Sequence, residues 1–127
     1  MMIRILLVTA ESGEFDTFKG GLPGEWNDSP GILSSAEKTL MIVKNEKVDV
    51  VVVGSKLDDD TSLDFVKKLM RNHPLINCAM VSSLSHVEFH EVTEGYGLFM
   101  QVEENPGVDE AVRLVKLHES ITGLMNS

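Results

Sequence analysis

The run Val48–Val53, VDVVVV, constrains this chain more than any other stretch. Five of its six residues are valine. Consecutive β-branched side chains are stiff at χ1 and favour extended backbone. A strand this apolar has no face to give to water, so both of its faces must be covered. Ile3–Val8 (IRILLV), Ile76–Val81 (INCAMV) and Leu98–Val102 (LFMQV) are runs of the same kind. A weaker stretch at 29–33, SPGIL, brings the strands to five.

Helical spacing fills the intervals. Ala36–Asn45 sets Leu40, Met41 and Val43 near one face, and Ser62–Asn72 does the same with Leu63, Phe65, Val66, Leu69 and Met70. His73-Pro74 should end the second of these. Ser85–Glu94 is a shorter helix, and Asn105-Pro106 opens the last one with proline near its first turn. Gly20, Gly21, Pro23 and Gly24 make the first crossover, 11–26, irregular, with Trp26 as a half-buried loop residue. No internal repeat or low-complexity segment is present. Strand and helix alternate throughout, which predicts a doubly wound parallel sheet with helices on both faces. Sites in such folds lie at the carboxyl ends of the strands. Those ends fall at Thr9, Ala10 and Glu11; Gly54 and Ser55; Ser82 and Ser83; and Gln101 and Val102.

A chain of 127 residues suits one domain, spanning 1–127. Its lone cysteine, Cys78, excludes an internal disulfide and reads as a small buried hydrophobe, as expected in a reducing cytoplasm. MMIRILLVTA lacks the form of a signal peptide, and no run approaches the ~18 apolar residues of a membrane span. The net charge of −9 disfavours nucleic acid and anionic membrane as partners. Proteins, small molecules or cations are the partners to expect.

DVVVVGSKLDDDTSLDF, at 49–65, resembles the third strand, loop and third helix of the response-regulator receiver domain, the CheY-like fold. AMVSS at 79–83 resembles its fourth strand and hydroxyl residue, and GYGLFMQV at 95–102 its approach to the fifth strand. The resemblance spans nearly the whole chain. It implies a five-stranded parallel sheet in a flavodoxin-like three-layer α/β/α sandwich, and a place in bacterial two-component signalling. In that family an acidic pair after the first strand and an acceptor aspartate hold Mg²⁺. A lysine on the fifth strand and a hydroxyl on the fourth attend the phosphoryl group. Carried over by position, the acidic pair falls on Thr9 and Ala10, the acceptor on Gly54, the hydroxyl on Ser82 and the lysine on Gln101. Only Ser82 matches in type, and Glu11 keeps one carboxylate nearby.

Each replacement removes chemistry. Mg²⁺ wants near-octahedral oxygen ligands with carboxylates among them. Thr9 offers a neutral hydroxyl, Ala10 nothing, Gly54 no side chain and Gln101 no charge. Asp58, Asp59 and Asp60 follow Gly54 by four to six residues. A four-residue span is ~13 Å if extended, so these aspartates read as a solvated loop leading to a helix N-terminus, with Asp60 or Thr61 as N-cap. The expectation is a pseudo-receiver with no cofactor, no metal and no enzymatic activity of its own.

Other signals weigh less. His86 and His90 share a helix face with Glu94, but the zincin position is Val87 and no third ligand is evident. GGLPG at 20–24 lacks the spacing of a dinucleotide loop. Ser82-Ser83 lacks a nucleophile elbow.

In the last helix, Val108, Ala111, Val112 and Val115 form the stripe expected to cover the sheet. Leu114, Leu117, Ile121 and Leu124 form a second stripe, a candidate interface with a protein partner or a second copy of the chain. The family's dimer face in the same region points the same way. Two further readings remain: a small-ligand sensor using a polar cavity among Thr9, Glu11, Ser82 and Gln101, and a phospho-receiver with displaced acidic residues. A filled site would sink the ligand reading.

Overall fold

The computed structural model describes the backbone of residues 2–126 and side chains as far as Gly123. The alternation predicted from the sequence is present. β1 (Ile3–Val8), β2 (Trp26–Asn27), β3 (Val50–Val53), β4 (Asn77–Val81) and β5 (Met100–Val102) form one parallel sheet in the order β2-β1-β3-β4-β5. Between and after them come α1 (Asp16–Lys19), α2 (Ala36–Asn45), α3 (Ser62–Asn72), α4 (His86–Thr93) and α5 (Val108–Asn126).

The period of two along each strand sorts the core into two layers. Leu6, Val8, Val51, Val53, Cys78 and Met80 face α2, α3 and α4, where Val43, Phe65, Leu69 and Phe89 cover them. Ile5, Leu7, Val50, Val52, Ala79 and Val81 face the other way, onto Phe18 of α1 and Ala111, Leu114 and Val115 of α5. The valines of β3 are therefore buried on both sides. Three helices start on hydroxyl caps: Ser35 accepts from the Lys38 N–H, Thr61 from the Asp64 N–H and Ser85 from the Glu88 N–H. Thr61, rather than Asp60, is the N-cap of α3.

The second strand departs from the sequence reading. It lies at Trp26–Asn27, not 29–33, and only Leu33 of the later stretch bridges to β1, opposite Val8. Ser29-Pro30 is a cis peptide, and Gly31 has a positive φ. Pro30 has no N–H for a ladder and Gly31 turns at positive φ, which leaves no extended run for a strand to use. Trp26 is accordingly a buried strand residue. Its ring meets His118 edge-on, with centroids 5.2 Å apart.

The last helix also departs. Its buried face is Ala111, Leu114, Val115 and His118, while Val108 and Val112 are exposed at 43% and 37%. Leu114, placed by sequence on the interface stripe, is 0% exposed and belongs to the core. Both stripes obey helical spacing, so periodicity alone cannot choose the phase. The structure adopts a phase between them: it keeps Ala111 and Val115 of the first stripe, takes Leu114 from the second and sets His118 against Trp26. Leu117 packs at the edge of the same core and Ile121 is half-buried. The side chain of Leu124 lies outside the described residues.

Cys78 sits fully inside the sheet, and burial pushes its thiol up to about 12. Native protein at pH 8 is expected to resist alkylation at Cys78 until it is unfolded. Rapid labelling of folded protein by a thiol reagent would contradict this burial.

Candidate functional site

The carboxyl ends of β1 and β3 are neighbours at the point where the chain turns from one side of the sheet to the other. Thr9 and Gly54 stand there side by side. The Gly54 N–H donates to the Val8 carbonyl at 2.7 Å, which continues the ladder by one step. Thr9 is nearly fully buried, and its N–H donates to the Leu33 carbonyl at 2.7 Å.

The space above Gly54 is filled by Glu14. Its Oε1 accepts the Thr9 hydroxyl at 2.5 Å and the Ser55 N–H at 3.0 Å, and Oε2 lies 3.2 Å from the same N–H. Thr9 Oγ1 in turn accepts the Glu11 N–H at 3.0 Å, so the Thr9 hydroxyl both donates and accepts. A Cβ at Gly54 would overlap Glu14 Oε1 and the Thr9 side chain. Glycine is thus what allows a carboxylate from another element to close over the strand end. The turn that delivers it runs through Gly13, which has φ +78, with the Glu14 N–H donating to Glu11 and the Asp16 N–H to Gly13.

Glu14 was not among the residues singled out from the sequence. It lies five positions past Thr9, in a crossover that reads as irregular. The available signal was indirect: a glycine at a buried strand end leaves a side chain's volume to be filled, and Ser12-Gly13 can turn the chain back toward it.

The remaining candidate residues do not gather in one place. Ala10 donates its N–H to the Lys56 carbonyl at 2.7 Å, and Glu11 turns outward to pair with Lys56 at 3.3 Å. Ser82 and Gln101 belong to a second cluster, where the Gln101 amide donates to the Leu84 carbonyl at 2.7 Å. Glu11, Glu14 and Ser55 border one open cleft of about 320 Å³. Ser82 and Gln101 border another of about 270 Å³. His86 and His90 are exposed on α4, and no group of three metal-ligating side chains converges among the described residues.

The aspartate loop is occupied elsewhere. Asp59 accepts from the Ala36 and Glu37 N–H groups at 2.7 and 3.1 Å and from the Ser35 hydroxyl at 3.0 Å, which ties it to the start of α2. Asp60 pairs with Lys68 at 2.8 Å and accepts the Thr61 N–H. The Ala36 amide, then that of Glu37, hold the Asp59 carboxyl below its ordinary 3.8. A carboxyl lowered in the fold adds stability above its unfolded pKa and loses it as pH falls through the folded one. Asp59→Ala is therefore expected to be less stable than the parent at pH 7, with the gap narrowing below about pH 4. Urea midpoints across that range would show it, and a gap that stays constant would rule it out.

Solved structures place this architecture. No protein-family model matches the chain, and no curated protein matches it in sequence. A CheY-like response regulator receiver domain protein from Methanospirillum hungatei JF-1 is similar with a TM-score of 0.74 and 20% identity, over 97% of this chain and 99% of that one. The chain has the receiver fold. The signal receiver domain of a putative Luxo repressor protein from Vibrio parahaemolyticus gives a TM-score of 0.78 at 15% identity, over 99% of this chain and 96% of that one. That of an HD domain-containing protein from Pseudomonas fluorescens Pf-5 gives 0.76 at 12%, over 98% and 92%. Identities this low speak for the receiver architecture and leave the chemistry of the strand ends to be read from this chain's own residues. No helix among the described residues is long and apolar enough to cross a membrane.

Proposed function

We propose that this chain is a receiver-like signalling module that acts through protein–protein contact and does not use an aspartyl phosphate. The observation that carries the reading is Glu14 over Gly54. The position where the receiver resemblance puts the acceptor has no side chain, and a neighbouring carboxylate fills the space through Thr9 and Ser55. Phosphorylation of Glu14 would need it to leave three hydrogen bonds in a site without the family's acidic pair or lysine. Asp59 and Asp60 are held at helix starts, which counts against a displaced acceptor. The filling of the site by Glu14 counts against the small-ligand reading.

The module works by surface complementarity in the cytoplasm of a bacterial-type signalling system. Its partner is a protein or a second copy of itself, not nucleic acid or membrane, and it is not an enzyme. The last helix remains the proposed docking element. With Leu114 committed to the core, the apolar groups on that flank are Leu117 and Ile121.

An amide NMR titration tests this, first with Mg²⁺ and then with beryllofluoride, which mimics an aspartyl phosphate. Unchanged signals at Gly54, Ser55, Ser82 and Gln101 are expected. Saturable shifts there would overturn the proposal and restore the phospho-receiver reading.

A further inference from the structure

The second polar cluster joins three elements through one side chain. Gln101 lies in the middle of β5, opposite Met80 of β4. Its Nε2 reaches the loop between β4 and α4, donating to the Leu84 carbonyl at 2.7 Å and lying 3.4 Å from the Ser82 carbonyl. The same loop is fixed at both ends. The Ser82 N–H donates to the Val102 carbonyl at 3.0 Å, and Ser85 caps α4. Within it, the Leu84 N–H donates to Ser82 Oγ at 3.1 Å. From the far side, Arg113 of α5 donates to the Gln101 carbonyl at 2.7 Å while gripping Glu110 with Nε and a terminal nitrogen, each at 3.1 Å. Glu110 then accepts the Glu103 N–H at 2.9 Å.

One detail sets Gln101 apart from an ordinary surface amide. Its Oε1 is buried and has no hydrogen-bond partner among the described residues. A buried acceptor left unpaired costs free energy. Turning the amide over would set Oε1 against the Leu84 carbonyl oxygen, acceptor facing acceptor, so the loop fixes its orientation. With Nε2 bonded and Oε1 enclosed, the amide is held in this one orientation.

We infer that Gln101 is a latch: its amide holds the β4–α4 loop against β5 and α5 and so sets where α4 begins. The inference rests on the proposed function in one respect, that no phosphoryl group is needed to set this loop. Arg113 holds the residue that carries the latch, and is a positioning residue.

The test is the solvent-exchange rate of individual amides in the ¹⁵N-labelled full chain. Gln101→Met keeps the length and removes the donor. It is expected to speed exchange at Leu84 by about ten-fold or more while the amides of β3 stay as they were. Gln101→Lys restores a donor and is expected to stay within about two-fold of the parent at Leu84. Unchanged exchange at Leu84 in a folded Gln101→Met protein would overturn the latch. So would an equal rise in β3, which would make Gln101 a source of global stability only. Should Gln101→Met fail to fold, Gln101→Glu, of equal length and acceptor-only when ionised, gives the same contrast. The latch and the proposed function fail separately, because beryllofluoride shifts at Gly54 do not alter the exchange comparison between variants.

Discussion

Replacing Gly54 by alanine is expected to destabilise the protein by about 1–3 kcal/mol, the usual cost of forcing a methyl group into a filled interior. The new Cβ would overlap Glu14 Oε1, Thr9 Cβ and Thr9 Oγ1. Thr9 cannot yield easily, because it is buried and its backbone N–H is tied to Leu33. Glu14 can yield only by giving up Thr9 and Ser55. The effect should therefore depend on Glu14. In Glu14→Ala the nearer obstacle is gone while Thr9 remains, and the cost of Gly54→Ala should shrink by at least about 0.5 kcal/mol, a coupling measurable by a double-mutant cycle in urea. Additive effects of the two substitutions would mean that Glu14 does not occupy the space over Gly54. An aspartate introduced at 54 meets the same obstacle, so restoring the acceptor residue alone is not expected to restore phosphoryl capture.

Leu114→Ala is expected to cost about 2–5 kcal/mol, as for other fully buried leucines. Leu114 is inaccessible and packs among Leu7, Val50, Val52 and Ala79 on the sheet's α5 side. Val112→Ala, on the exposed flank of the same helix, should change stability by no more than about 0.5 kcal/mol. The pair distinguishes the phase of the helix found in the structure from the one expected from its apolar stripes. Were Leu114 on a free docking face, its truncation would leave the unfolding midpoint of the isolated chain where it was.

The fold was largely legible because its signals are local and redundant. VDVVVV could only be a covered strand, and Thr61, one of the two caps expected for α3, stands where its helical spacing begins. The neutral residues at positions 9, 10, 54 and 101 were equally plain, since charge is read directly from the residue type. What failed were features that depend on position relative to something distant. The second strand moved because pairing with β1 begins at Trp26, ahead of the Ser29-Pro30 turn. α5 settled between its two apolar stripes, with Leu114 joining Ala111 and Val115 on the sheet and His118 beside Trp26.

By itself, then, the sequence determined the order of strands and helices, the two-sided burial of the sheet and the absence of an ionisable side chain at positions 9, 10, 54 and 101. Those follow from residue type and from spacing within one element. Only the tertiary structure decided what fills the emptied strand end. Glu14 reaches Gly54 through a turn at Gly13, and Gln101 on β5 reaches Leu84 in the loop after the neighbouring strand β4. Hydrogen bonds between groups 41 or 17 residues apart carry no periodic trace in the chain. They exist only because the parallel sheet brings its carboxyl ends to one edge, where side chains from separate elements compete for the same space.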